Sequence, residues 1–112
     1  MVVGEGGEDG TDRVLHALSD ATRRDILARV TRAGHSVSAL AKLYPMSFAA
    51  VQKHVAVLER AELVTKERRG REQIVHGNPA ALRSVVGGLL ETYERIWRQR
   101  ADRIAEILEE ET

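Results

Sequence analysis

Residues 47–63, Ser47-Phe48-Ala49-Ala50-Val51-Gln52-Lys53-His54-Val55-Ala56-Val57-Leu58-Glu59-Arg60-Ala61-Glu62-Leu63, read as one amphipathic helix. Val51, Val55 and Leu58 recur at i, i+4 and i+7, so one side must be buried. The other side carries Ser47, Phe48, Gln52, Lys53 and His54 near the helix start, with no acid among them. Such side chains suit base edges and phosphates. A turn, Tyr44-Pro45-Met46, and a shorter apolar helix, Val37 to Leu43, precede this segment, and a basic hairpin, Lys66 to Arg71, follows it.

Working outward, Val14, Leu15 and Leu18 share one face of a first short helix. Ser19 or Asp20 caps the next, Ala21 to about Arg32, with Ile26, Leu27 and Val30 inward, and Gly34 ends it at positive φ. Ser36 caps a third helix with Val37, Leu40 and Leu43 inward; Pro45 closes it and Ser47 caps the fourth. Val64 to Arg68 and Glu72 to Val75, separated by Arg69-Gly70-Arg71, form two strands that turn near Gly70. Asn78-Pro79 then starts a last helix, a capping side chain followed by the residue best tolerated at the first helical position. The expected fold is mostly α with a small β-hairpin, in the order α-α-α-α-β-β-α of a winged helix-turn-helix. One domain spans residues 11–112, its last helix covering about 79–110, behind a glycine- and acid-rich tail, 1–10, too poor in apolar residues to pack and expected to be disordered.

Net charge is zero, but its distribution is uneven. Eight of the 17 acids sit at the ends, so residues 13–105 hold all 17 Lys and Arg against the other 9 acids, a net +8. Between Ser47 and Arg71 six bases face three acids. With no cysteine, disulfides and thiolate metal sites are excluded, in keeping with a reducing cytoplasm. No apolar run approaches the roughly 18 residues that span a membrane, and the N-terminus does not read as a signal peptide. His16, His35, His54 and His76 are scattered over different elements, without a nucleophile or phosphate loop beside them, so no enzyme is expected.

Leu18-Ser19-Asp20-Ala21-Thr22-Arg23-Arg24-Asp25-Ile26-Leu27 resembles the opening motif of ArsR-type winged helix-turn-helix regulators. Met46 to Leu58 resembles their recognition helix, and Ala61-Glu62-Leu63-Val64 and the Arg68-Arg69-Gly70-Arg71 wing continue in register. The resemblance covers about residues 12–108. It implies a homodimeric bacterial transcription regulator, usually a repressor, whose first and last helices build the dimer. Metal-sensing members use cysteines on the third helix or His and acid ligands on the last. Here the third helix has no ligand and the last no histidine, so the chain resembles the metal-free branch with a long C-terminal helix, and neither a metal nor a cofactor is expected. Glu62 stands where the family usually has glycine, which implies a frayed or altered helix end.

The expected partner is double-stranded DNA. Gln52 suits adenine, Lys53 suits guanine or phosphate, and His54 suits either. Phe48 either meets a thymine methyl or packs on the preceding turn, and Ser47 caps its helix whether or not it meets a phosphate. Arg68, Arg69 and Arg71 surround the hairpin tip, placed for the minor groove or backbone, or else for guarding a sheet edge. Arg23 and Arg24 match family positions: Arg23 is assigned to phosphate, the other to pairing with Asp20 or Asp25. The last helix carries an apolar stripe, Leu82, Val86, Leu90, Tyr93, Trp97, Ile104 and Leu108, too long for a small domain to cover. Gly87-Gly88 marks a bend or a close helix approach. The expected dimer interface comprises Val14, Leu15, Leu90, Tyr93, Trp97, Ile104 and Leu108; near Tyr93 and Trp97 it offers dense packing or room for a small apolar ligand, and the sequence names no effector. The competing reading is a winged module for protein contacts, an anti-repressor or adaptor docking through the long helix.

Overall fold

The computed structural model describes residues 10–111; residues 1–9, and with them nearly all of the tail expected to be disordered, lie outside the described residues. Five helices surround a small sheet: α1 (Thr11–Leu18), α2 (Ala21–Arg32), β1 (His35–Ser36), α3 (Val37–Ala41), α4 (Phe48–Arg60), β2 (Val64–Arg69), β3 (Glu72–Gly77) and α5 (Pro79–Glu110). The antiparallel sheet has the order β1-β3-β2. Strand β1 adds to the expected element order. Its two residues pair with Val75 and Ile74, a length too short to leave any alternation in the sequence.

Local signals hold where a cap is chemically specific. The Asp20 carboxylate accepts from the Arg23 N–H (3.0 Å), the Ser36 hydroxyl from Ala39 (3.0 Å) and the Ser47 hydroxyl from Ala50 (3.1 Å). Ser19 instead donates to the His16 carbonyl, closing α1. Val51, Val55 and Leu58 of α4 are fully buried with Ile26, Leu40, Leu63 and Val75.

Other expectations are corrected. α1 buries Val14 and Ala17, while Leu15 is 47% exposed; the helix is turned so that an i, i+3 pair faces the core. Val14 is thereby removed from any interface between copies. Leu43 lies beyond α3, which stops at Ala41, and is exposed. α2 ends on extended Ala33, and Gly34 has no positive φ. Space there is tight: a Cβ would stand 2.6 Å from the His76 ring, which would have to turn aside. Gly70 does take positive φ (61°), in a two-residue hairpin loop, Gly70-Arg71, one residue tighter than expected.

The end of α4 is well formed. Glu62 adopts φ 61°, its N–H donates to Glu59 O at 2.9 Å, and Leu63 N–H donates to Leu58 O at 3.0 Å. These two bonds make a Schellman cap, with buried Leu58 and Leu63 as its apolar contact. The cap forms in full with a glutamate in the glycine position because the core holds Leu58 and Leu63 in place.

α5 leaves the domain. Val85 is buried, and Leu82 and Leu89 pack on the core, but Leu90, Tyr93, Ile96, Trp97, Ile104, Ile107 and Leu108 are exposed. The molecule measures 72 × 33 × 25 Å.

Candidate DNA interface

The N-terminal half of α4 stands on the surface because its buried stripe faces α2, α3 and β2. Gln52 and Lys53 are exposed on its outer side, and neither side chain makes a hydrogen bond or ion pair among the described residues. Phe48 is 46% exposed and forms one wall of an open cleft between the start of α4 and the hairpin, with Ser38, Gln52, Arg68, Arg71 and Gln73. Recognition helix and wing thus share one concave surface.

The three wing arginines are not equivalent. Strand alternation sends Arg68 toward the cleft, its Nε donating to Gly70 O at 3.2 Å. Arg71 lines the same cleft and has no ion-pair partner among the described residues. Arg69 turns the other way and binds Glu67 at 2.6 Å. Arg69 therefore serves a duplex only by giving up an internal ion pair.

Arg23 departs from its assignment to phosphate. It is 9% exposed, and its guanidinium donates to Ala17 O (2.9 Å) and His16 O (3.0 Å) and meets His54 Nδ1 at 3.2 Å. The two-residue step from α1 to α2 brings Arg23 back over the end of α1, where it joins Ser19 on the His16 carbonyl and takes the Ala17 carbonyl. Arg24 is exposed but donates to Leu18 O instead of pairing with an acid. The cap bond from the Arg23 N–H is the main reason the Asp20 carboxyl lies below its usual range, with the charge of Arg23 adding to it.

A further cluster has no counterpart among the sequence expectations. Tyr44, in the turn before α4, donates its hydroxyl to Asp25 of α2 at 2.6 Å. Arg29 binds the same carboxylate oxygen at 2.8 Å and lies 5.7 Å from the Tyr44 ring centre. The Tyr44 and Arg29 hydrogen bonds hold the Asp25 carboxyl low, while burial, then the bond to Asp25, pushes the Tyr44 hydroxyl up to about 12. Nineteen residues separate Tyr44 from Asp25, a pairing without a sequence signal.

Among the described residues no three His, Asp or Glu side chains gather at metal-binding distance, and no helix is long and apolar enough to cross a membrane.

A short helix, a turn, a second helix with an exposed start and a basic hairpin beside it define a winged helix-turn-helix DNA-binding protein. Comparison with known proteins agrees. A helix-turn-helix domain profile matches residues 18–67, from the end of α1 into β2. The chain is 31% identical to the HTH-type transcriptional regulator Rv2034 of Mycobacterium tuberculosis, over 89% of this chain and 90% of that one. It is 32% identical to the HTH-type transcriptional regulator YuzN of Bacillus subtilis, over 71% and 95%. A solved ArsR-like transcriptional regulator from Rhodococcus sp. RHA1 superposes with a TM-score of 0.77 at 36% identity, covering 87% of this chain and 88% of that one. The chain belongs to the ArsR family of helix-turn-helix transcriptional regulators.

Proposed function

We propose that this regulator is a cytoplasmic homodimeric repressor whose two α4 helices enter neighbouring major grooves of an inverted-repeat operator, with no metal sensor site and no catalytic activity. The observation that carries this reading is the shared surface of α4 and the hairpin, where Gln52, Lys53, Arg68 and Arg71 are exposed together. The contacts are Ser47, Phe48, Gln52, Lys53 and His54 from the helix and Arg68 and Arg71 from the wing, with Arg69 in a lesser part. Pairing of copies is supported by the bare apolar face of α5 and by the exposure of Leu15 on α1. A helix of 32 residues extends about 48 Å, more than one domain of this size covers.

The test is selection of bound duplexes from random DNA, followed by gel shifts across salt. A two-fold symmetric consensus and binding that weakens steeply with salt are expected. Transcription from a promoter bearing that consensus should rise when the regulator is removed. Absence of salt-dependent binding to any duplex would end this reading in favour of a protein partner docking on α5, which the same bare face also suits.

A further inference from the structure

We propose that Arg23 is a positioning residue for operator recognition: it fixes the His54 ring with Nδ1 as acceptor, so that Nε2–H is the hydrogen-bond donor offered to the duplex. The inference rests on the reading of α4 as the helix that meets DNA.

A guanidinium has donors only. At 3.2 Å from Arg23 Nη1, His54 Nδ1 must therefore accept, and a neutral imidazole then keeps its one proton on Nε2. Arg23 itself has little freedom, because its Nε and Nη2 are held by the Ala17 and His16 carbonyls and its backbone N–H by Asp20. Asp20 lies close enough for the ring to influence its carboxyl, and its Oδ1 is taken by the Arg23 N–H in the cap of α2. One buried side chain thus ties the end of α1 and the start of α2 to the recognition helix.

The other ring nitrogen is left open. His54 Nε2 has no partner among the described residues, and no side-chain nitrogen or oxygen is buried without one, so Nε2 reaches solvent. At about 100° per residue, His54 and Phe48 border the exposed strip of Gln52 and Lys53 on opposite sides. Phe48 faces the wing, and His54 faces α1 and α2. A fixed N–H there selects a hydrogen-bond acceptor, a phosphate oxygen or a base acceptor such as guanine N7 or O6.

Two measurements test the proposal. Ring 15N spectra of the free protein above neutral pH should show His54 with Nδ1 bare and Nε2 protonated; an Nδ1–H ring would overturn it. Secondly, affinity for a duplex recovered from random DNA is compared for two variants. In His54→Asn the amide oxygen still accepts from Arg23 near the Nδ1 position, but no donor remains at Nε2. Affinity should fall about tenfold while the fold persists. In His54→Gln the amide reaches the Nε2 position and should retain most of the binding. Asn binding like the parent, or Gln as weak as Asn, would overturn the donor role. A loss that is equal over base-substituted duplexes assigns the acceptor to phosphate; a loss confined to one position assigns it to a base. Lys53→Ala binding like the parent would instead sink the reading of α4 and leave the ring spectra unaffected.

Discussion

The side-chain amide of Asn78 donates to the carbonyl of Glu62 at 2.9 Å, joining the end of α4 to the start of α5 across the whole hairpin. Although its position predicts a cap for α5, the Asn78 side chain serves the preceding helix instead, and its backbone N–H donates to Leu63 O at 2.8 Å. The strained residue at this junction, Glu62, is thus held by a cap on one side and by Asn78 on the other. Since an L-residue in the left-handed region costs roughly 1–2 kcal/mol, Glu62→Gly should raise stability by about 1 kcal/mol. Denaturant unfolding would check this, an unchanged or lower midpoint counting against a strained cap.

Two glycines should respond oppositely to alanine. A Cβ on Gly77 would stand 2.8 Å from the backbone Cα of Thr31, so α2 must move and Gly77→Ala should cost about 1–3 kcal/mol. A Cβ on Gly88 meets nothing within 4 Å, so Gly88→Ala should stabilise the helix by about 1 kcal/mol. Thermal unfolding of both variants distinguishes the two environments. Loss of stability in Gly88→Ala would mean that a partner helix crosses close to that face.

Gln52→Ala and Lys53→Ala should each weaken operator binding by about 1–3 kcal/mol without unfolding the protein. Removing Arg68 or Arg71 should instead lower affinity evenly across sequences and flatten the salt dependence by about one unit for each phosphate no longer neutralised. Arg69→Ala should have the smallest wing effect, since Arg69 is already bound to Glu67. A larger loss for Arg69 than for Arg71, read by titration across salt, would reverse this assignment.

Trp97, the chain's single tryptophan, is 67% exposed in an isolated copy. If α5 pairs with α5, its emission should be blue-shifted at high protein concentration and move to the red on dilution. Trp97→Glu should give a monomer by sedimentation that no longer binds an inverted repeat tightly. A concentration-independent red emission in the parent protein would contradict pairing through this face.

The Tyr44 and Asp25 link predicts a pH dependence at both extremes. The Tyr44 hydroxyl is raised from 10.0 to about 12, so its contribution is complete below about pH 10 and is lost as pH climbs through about 12. The Asp25 carboxyl is lowered from 3.8, so its contribution is present above about pH 4 and is lost as pH falls through the depressed value. Tyr44→Phe should flatten stability against pH in both windows. Identical profiles for parent and variant, from denaturant midpoints, would remove this link from the fold.

The sequence by itself determined what local chemistry determines. The buried stripe of α4, the caps at Asp20, Ser36 and Ser47, the hairpin at Gly70 and the start of α5 at Pro79 each depend on residues a few positions apart. The tertiary structure alone decided what depends on which surfaces meet. It turned α1 so that Ala17 is buried and Leu15 bare, added β1, and drew Arg23 inward to the carbonyls that end α1 and a histidine 31 residues away. Helical periodicity fixes the spacing of side chains around an axis, whereas the rotation of that axis and the partners of a long cation are set by the packed neighbours.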